Sequence, residues 1–198
     1  MSLRTDPPAG AAPADPMSSG TPWIHRLASP IGPLELAADL DGALVYLGFA
    51  RPGREGLRTG LDQPRAGRGA VPRLTGDPAL LEPVRRQLDE YFRGARRDFE
   101  LPLALRGTPF QLRVWAELRR IPYGQTLSYG ELARRLGNPG LCRAVGAANG
   151  ANPVSIIVPC HRVIGSGGGL TGYGGGLEAK QALLALERPP EPGWLFPD

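Results

Sequence analysis

NPVSIIVPCHRV, residues 152 to 163, decides how the rest of this 198-residue chain is read. It sets Cys160 beside His161 in a chain whose other cysteine and histidine are Cys142 and His25. A thiol is an effective nucleophile only as the thiolate, whose pKa of about 8.5 falls beside a base or a positive charge. A neighbouring imidazole supplies such a base. Adjacent side chains need not meet, so the two residues alone leave open a buried structural cysteine beside a satisfied histidine as well as an activated nucleophile. The surroundings favour the second. The apolar, β-branched run 151–158 reads as a buried strand, and eight glycines within 165–176 read as a flexible loop. The thiol is thus expected where a strand ends and a loop begins, a common place for sites.

A hydrophobic content of 41% is enough to bury a sizeable core. The opening residues 1–21 are rich in Pro, Ala, Gly and Ser and lack an apolar signal region, so a disordered tail is expected there and another at 189–198. No run approaches the ~20 apolar residues of a membrane span. Two cysteines cannot build a disulfide framework, which points to a reducing cytoplasm. The net charge of +4 is unevenly placed: residues 105–176 carry eight arginines against Glu117 and Glu131. That bias suits a polyanionic partner for the second half, although a solvated basic face would look the same.

An α/β chain of two domains is expected. Strand, turn, strand, turn, strand spans Trp23 to Phe49, with SPIGP and DLDG as turns. Residues 50–77 form a long mobile connection. Asp77 and Pro78 then open a helix whose stripe is Leu81, Val84, Leu88 and Phe92, ending at Gly94. Phe99, Leu101, Leu103 and Leu105 alternate as a closing strand. These make an N-terminal α/β domain over 22–105, with a small antiparallel sheet and a helix, and the second domain runs over 106–188.

That second domain begins with two capping boxes, Thr108 with Gln111 and Ser128 with Glu131. Tyr129, Leu132, Ala133 and Leu136 share one helical face. After a break at Asn138–Pro139–Gly140, Leu141, Ala144, Val145 and Ala148 share another, the grammar of a helix-turn-helix. The outward face of the later helix carries Arg143, Gly146, Ala147 and Gly150, one long cation among small residues suited to close approach to a nucleic-acid backbone. A last helix, 177–187, ends on Glu187, where the helix dipole disfavours a carboxylate by about 0.3–1 kcal/mol. Such a residue can simply be solvated, and a buried partner such as His161 would also explain it.

With these features in place, SYGELA, RAVGAAN, NPVSIIVPCHRV and GYGGGLEAK, in that order, closely resemble the O6-alkylguanine-DNA alkyltransferases from about Thr108 to Glu187. SPIGPLELAAD and VRRQLDEYF look like that family's less distinctive N-terminal domain. The resemblance implies single-turnover DNA repair: flipping of O6-alkylguanine, and also O4-alkylthymine, followed by irreversible transfer of the alkyl group to Cys160. His161 would act as base through a water, and Glu187 would orient it. Arg143 would enter the stack in place of the flipped base, and Tyr129 would hydrogen-bond that base. Ala147 and Gly150 would lie on DNA, bound through its minor groove. Asn152 would fix the turn after the recognition helix, and Ser155 would line the pocket. The Cys160 and Val163 carbonyls would read the exocyclic amine, and Tyr173 and Gly174 would belong to a lid. The resemblance further implies a monomer with no cofactor. With only His25 and no cysteine in the first half, no metal site is expected there.

Two rival readings fit less well. Relatives that sense alkylated DNA without repairing it lack the acceptor cysteine, which this chain has. A Cys-His hydrolase would leave Arg143 and the helix-turn-helix without a role. GxGxxG occurs at Gly167, Gly169 and Gly172, but without the strand-loop-helix setting of a dinucleotide site.

Overall fold

The computed structural model describes residues 23–50 and 73–188; the tails expected at 1–21 and 189–198 and most of the 50–77 connection lie outside them. The turns at SPIGP and DLDG close on Gly32 and Gly42, both at positive φ, where glycine carries no steric penalty. They join β1 (His25–Leu27), β2 (Leu34–Ala38) and β3 (Leu44–Phe49) into an antiparallel sheet, His25 opposite Leu36 and Leu36 opposite Leu47. Every residue of β2 is buried because both faces are covered. Leu34, Leu36 and Ala38 enter the main core, while Ala37 joins Ile24 and Val45 in a smaller cluster.

Asp77 caps the next element as expected, accepting from the Ala79 N–H at 2.9 Å. Residues Pro78–Leu81, however, form a 3-10 turn, and α1 follows at Glu82–Phe92. Pro83 has no N–H for the Ala79 carbonyl, so the Glu82 N–H closes the tighter turn instead. The buried face of α1 is Val84, Gln87, Leu88 and Tyr91. Tyr91, where Phe92 was expected, therefore completes the stripe.

The closing strand expected over Phe99–Leu105 is not formed. A single bridge pairs Leu44 with Leu103, its bonds running from Leu44 N to the Pro102 carbonyl and from Ala104 N to the Leu44 carbonyl. Pro102 has no donor with which to extend the ladder.

The second half is helical. Both capping boxes are formed, opening α2 (Pro109–Leu118) and α3 (Tyr129–Arg135). A 3-10 turn capped by Asn138 leads into α4 (Cys142–Gly150), and α5 is Leu177–Leu186. Trp115 of α2 is buried and donates its indole N–H to the Ala148 carbonyl at 2.8 Å, tying α2 to α4. The buried residues of α4 are Val145, Ala148 and Asn149; Ala144, expected on that face, is exposed. Helical spacing cannot distinguish neighbouring positions when most side chains are small.

The largest departure is 151–158. Its residues from Val154 on are buried, but the backbone coils through turns, with Ile157 N bonded to the Ser155 carbonyl and Val158 N to the Val154 carbonyl. Ile156 has φ 71°, a conformation that costs a β-branched residue about 1–3 kcal/mol. Continuous apolar character reported burial correctly and conformation wrongly. The coil is held by the first half: Leu47 N bonds the Pro153 carbonyl at 2.9 Å, and Ser155 N bonds the Leu47 carbonyl at 2.8 Å. One continuous core accordingly runs from Leu36 and Leu47 of the sheet through Val114 and Val145 to Val158 and Cys160.

Candidate active site

Asn152 staples the coiled turn, its amide donating to the Val158 carbonyl at 2.8 Å and its oxygen accepting from Val154 N at 3.0 Å. The chain then enters a 3-10 turn over Cys160–Arg162. Cys160 thus stands between two turns; the strand expected before it is absent. A two-residue strand, β5 (Val163–Ile164), follows and pairs in parallel with β4 (Leu127–Ser128), which leads directly into Tyr129. This short pairing was not apparent in the sequence, and it places the thiol turn against the start of α3.

Cys160 is only 4% exposed. Burial raises its pKa, and the Asn152 amide, the Lys180 charge and Ser155 oppose that rise. The resting group is therefore the neutral thiol. His161 is fully buried, and burial lowers its pKa, with Glu187 pulling the other way. Its Nε2 lies 3.0 Å from Glu187 Oε1. Burial pushes Glu187 up, but hydrogen bonds from His161 and Arg162 outweigh it and hold the carboxyl at about 2. An ionised carboxylate only accepts, so Nε2 carries the imidazole proton. That leaves His161 Nδ1, buried and without a protein partner, as the basic nitrogen.

The expected pairing of His161 with Glu187 is present, but Glu187 has more partners than the sequence suggested. Arg162 grips it bidentately, Nε to Oε2 and NH2 to Oε1, each at 2.8 Å. Its NH1 reaches the Ile121 carbonyl, and its guanidinium lies 5.8 Å over the Tyr123 ring. Gly124 N approaches Oε2 at 3.3 Å. Tyr91 donates its hydroxyl to Oε1 at 2.7 Å, 96 residues away in sequence. Lys180 is fully buried and donates to the Val163 and Thr171 carbonyls at 2.6 and 2.8 Å. As the chain's one lysine, it was the single signal that could have marked that position.

The other expected residues fall in two groups. Ser155 is buried beside the thiol turn. Tyr173 packs edge-on against Phe49 at 5.5 Å and faces the His161 ring at 6.4 Å. Its hydroxyl is buried without a hydrogen bond of normal geometry, and burial raises its pKa. Gly174 is exposed in the same loop, next to Gly175, where a Cβ would come within 2.5 Å of the Phe49 ring. The Cys160 carbonyl accepts from the Asn149 amide at 3.4 Å and from the Val163 N–H, and the Val163 carbonyl accepts from Lys180.

Arg143, Ala147 and Gly150 are exposed along α4. Gly146 instead lies half-buried against the Tyr129 ring, which approaches within 3.9 Å of where its Cβ would stand. Tyr129 itself is half-buried at the first turn of α3. The arrangement joins a buried thiol, a neutral base fixed by an anion, and an exposed cationic helix.

Residues 25–105 match the family described as 6-O-methylguanine DNA methyltransferase, ribonuclease-like domain, and residues 109–189 its DNA binding domain. A methylated-DNA–protein-cysteine methyltransferase of Mycolicibacterium paratuberculosis is 51% identical over 168 residues, 84% of this chain and 93% of that protein. One from Methanosarcina acetivorans is 45% identical over 159 residues, 80% of this chain and 94% of the relative. The crystal structure of Mycobacterium tuberculosis O6-methylguanine methyltransferase superposes with TM-score 0.70 at 48% identity, covering 85% of this chain and 94% of that one. The Mycobacterium tuberculosis protein in complex with DNA gives TM-score 0.67 at 46% identity, covering 83% and 92%.

Proposed function

Because the chain belongs to the 6-O-methylguanine DNA methyltransferase family, we propose that it repairs DNA by moving the alkyl group of O6-alkylguanine irreversibly onto its own Cys160. The observation that carries the residue assignment is the unpartnered Nδ1 of a buried, Glu187-bound His161 next to the buried thiol. The thiol proton passes through a bridging water to Nδ1, and Glu187 stabilises the imidazolium. The sulfur–carbon bond forms as the carbon–O6 bond breaks, and the bonding pair leaves with guanine. The Tyr129 hydroxyl donates a proton to the departing base and regains one from solvent, while the His161 imidazolium releases the thiol's proton to solvent. The product thioether has no route back to the thiol, so each molecule reacts once. A duplex carrying a labelled methyl at O6 should leave its label on the peptide containing Cys160; label remaining in the DNA would overturn the reading.

The alkyl carbon lies within a stacked duplex, so the nucleotide must be flipped at a cost of a few kcal/mol. The exposed face of α4 supports docking in the minor groove, with Arg143 filling the vacated stack and Ala147 and Gly150 allowing close approach. Asn152 holds the turn behind the base, Ser155 and Tyr173 line the pocket with Gly174 in its lid, and the Cys160 and Val163 carbonyls read the exocyclic amine. O4-alkylthymine is a second substrate of the same pocket. The protein acts as a monomer. Cys142 and Cys160 are both free thiols, which suits the cytoplasm. Among the described residues no helix is long and apolar enough to cross a membrane.

Arg143→Ala is expected to slow repair of duplex lesions at least roughly tenfold more than reaction with free O6-benzylguanine, because only the duplex requires flipping. Parallel rate measurements on the two substrates check this, and equal losses would place Arg143 in the pocket. Alkylation should also lower the melting temperature. It adds carbon at a 4%-exposed position, and overpacking of this kind typically costs about 1–3 kcal/mol. Calorimetry of methylated and unmodified protein measures the difference, with a larger drop expected for a benzyl group.

A further inference from the structure

Tyr91 belongs to the first half of the chain and stands on α1, far in sequence from every residue of the thiol turn. Its hydroxyl nevertheless reaches the carboxylate oxygen, Glu187 Oε1, that holds His161. We propose that Tyr91 is a positioning residue for alkyl transfer: its buried hydroxyl shares Glu187 Oε1 with His161 and so sets how strongly that carboxylate supports the imidazolium. The inference deepens the alkyl-transfer reading and rests on it.

Oε1 accepts from three donors: the Tyr91 hydroxyl at 2.7 Å, Arg162 NH2 at 2.8 Å and His161 Nε2 at 3.0 Å. The Tyr91 bond is the shortest of the three. Each donor draws on the same negative charge, and a hydrogen bond to the ionised carboxylate lowers its basicity, so a strong neutral donor weakens its hold on the others. The phenol stays a pure donor, because burial first, and then the Glu187 charge and hydrogen bond, raise its pKa. Its ring is fixed by packing against Phe92, Phe99 and Tyr123 at 5.5, 5.3 and 6.2 Å, so the hydroxyl has little freedom to turn away.

His161 is faced by Glu187 and Lys180 from the last helix, by Arg162 from its own turn, where Cys160 precedes it in sequence, and by Tyr173 from the glycine loop. Of these groups only Glu187 is also bonded by the Tyr91 hydroxyl. Tyr91→Phe keeps the packed ring and should return charge from Oε1 to His161, making the imidazole more basic. A 3-fluorotyrosine placed at position 91 is a stronger donor and should act in the opposite sense.

The test follows the rate of transfer from O6-methylguanine duplex DNA against pH, with the His161 ring titrated by NMR on the same proteins. Tyr91→Phe should move the acid limb of the rate profile and the His161 midpoint upward together by about half a pH unit or more. The fluorinated protein should move both downward. A limb and midpoint that stay with wild type in both proteins, whatever happens to their melting temperatures, would reduce Tyr91 to a packing residue, as would shifts of the same sign. If Tyr91→Phe does not fold, the fluorinated protein decides alone. A wild-type protein that transfers nothing would sink the alkyl-transfer reading, while the His161 titration would still decide the coupling to Tyr91.

Discussion

Cys160→Ser is expected to abolish alkyl transfer, a loss of at least roughly a thousandfold, while the fold and DNA binding survive. The exchange is nearly isosteric at a buried site, and the bond from the Asn149 side-chain amide to the Cys160 carbonyl does not involve the Cys160 side chain. What changes is chemistry. An alcohol is far less acidic than a thiol, and burial already disfavours the anion here even for the thiol. A neutral imidazole whose own pKa burial has lowered cannot compensate for a much weaker acid. Single-turnover rates with duplex substrate, beside binding isotherms for the same DNA, separate the two effects. Cys142→Ser is the control. That thiol is half-buried at the start of α4, where it donates to the Pro139 carbonyl at 3.4 Å, and its removal should leave transfer unchanged.

Glu187→Gln should have the second-largest effect, and this one falls on stability as well as rate. The carboxylate is 1% exposed and accepts from Tyr91, His161, Gly124 and both nitrogens of the Arg162 fork. An amide offers one accepting oxygen and brings two donors of its own into a site already full of donors. Arg162, 6% exposed, loses its counter-ion. Stranding a buried charge in this way costs about 3–5 kcal/mol. That is a large part of the ~5–15 kcal/mol by which domains are usually stable.

The pH dependence identifies the cause. Glu187 has a folded pKa of about 2 against an ordinary 4.5, so its contribution is present above pH 4.5 and is lost as pH falls toward 2. Melting curves of wild type and Glu187→Gln should therefore lie far apart at neutral pH and converge in that acid window. A constant gap at all pH values would mean that the loss came from packing alone.

Much of this architecture was legible in local sequence. The turns at SPIGP and DLDG set the register of three strands, and the boxes at Thr108 and Ser128 mark the starts of α2 and α3. An unfavourably placed carboxylate at the end of α5 pointed to His161, and the two do meet. Other features depend on partners that periodicity cannot see. The buried run 151–158 is coiled because Asn152 staples it and Leu47 binds it, and neither contact is encoded in hydrophobic character. Alternation over 99–105 read as a strand, yet Pro102 removes the donor that would continue it. The Tyr91 hydroxyl and the Arg162 fork look locally like a helix residue and a loop cation. Only their shared anion, brought from the last helix, reveals what they do.

In the proposed mechanism Cys160 is the alkyl acceptor and is consumed by the reaction. Intact mass spectrometry of the protein after incubation with excess O6-methylguanine duplex DNA tests it most directly. The expected result is a gain of one CH2 per molecule, confined to the peptide holding Cys160, with one lesion removed per protein. Lesions removed in excess of protein, a gain located on Cys142, or repaired DNA beside unmodified protein would contradict it.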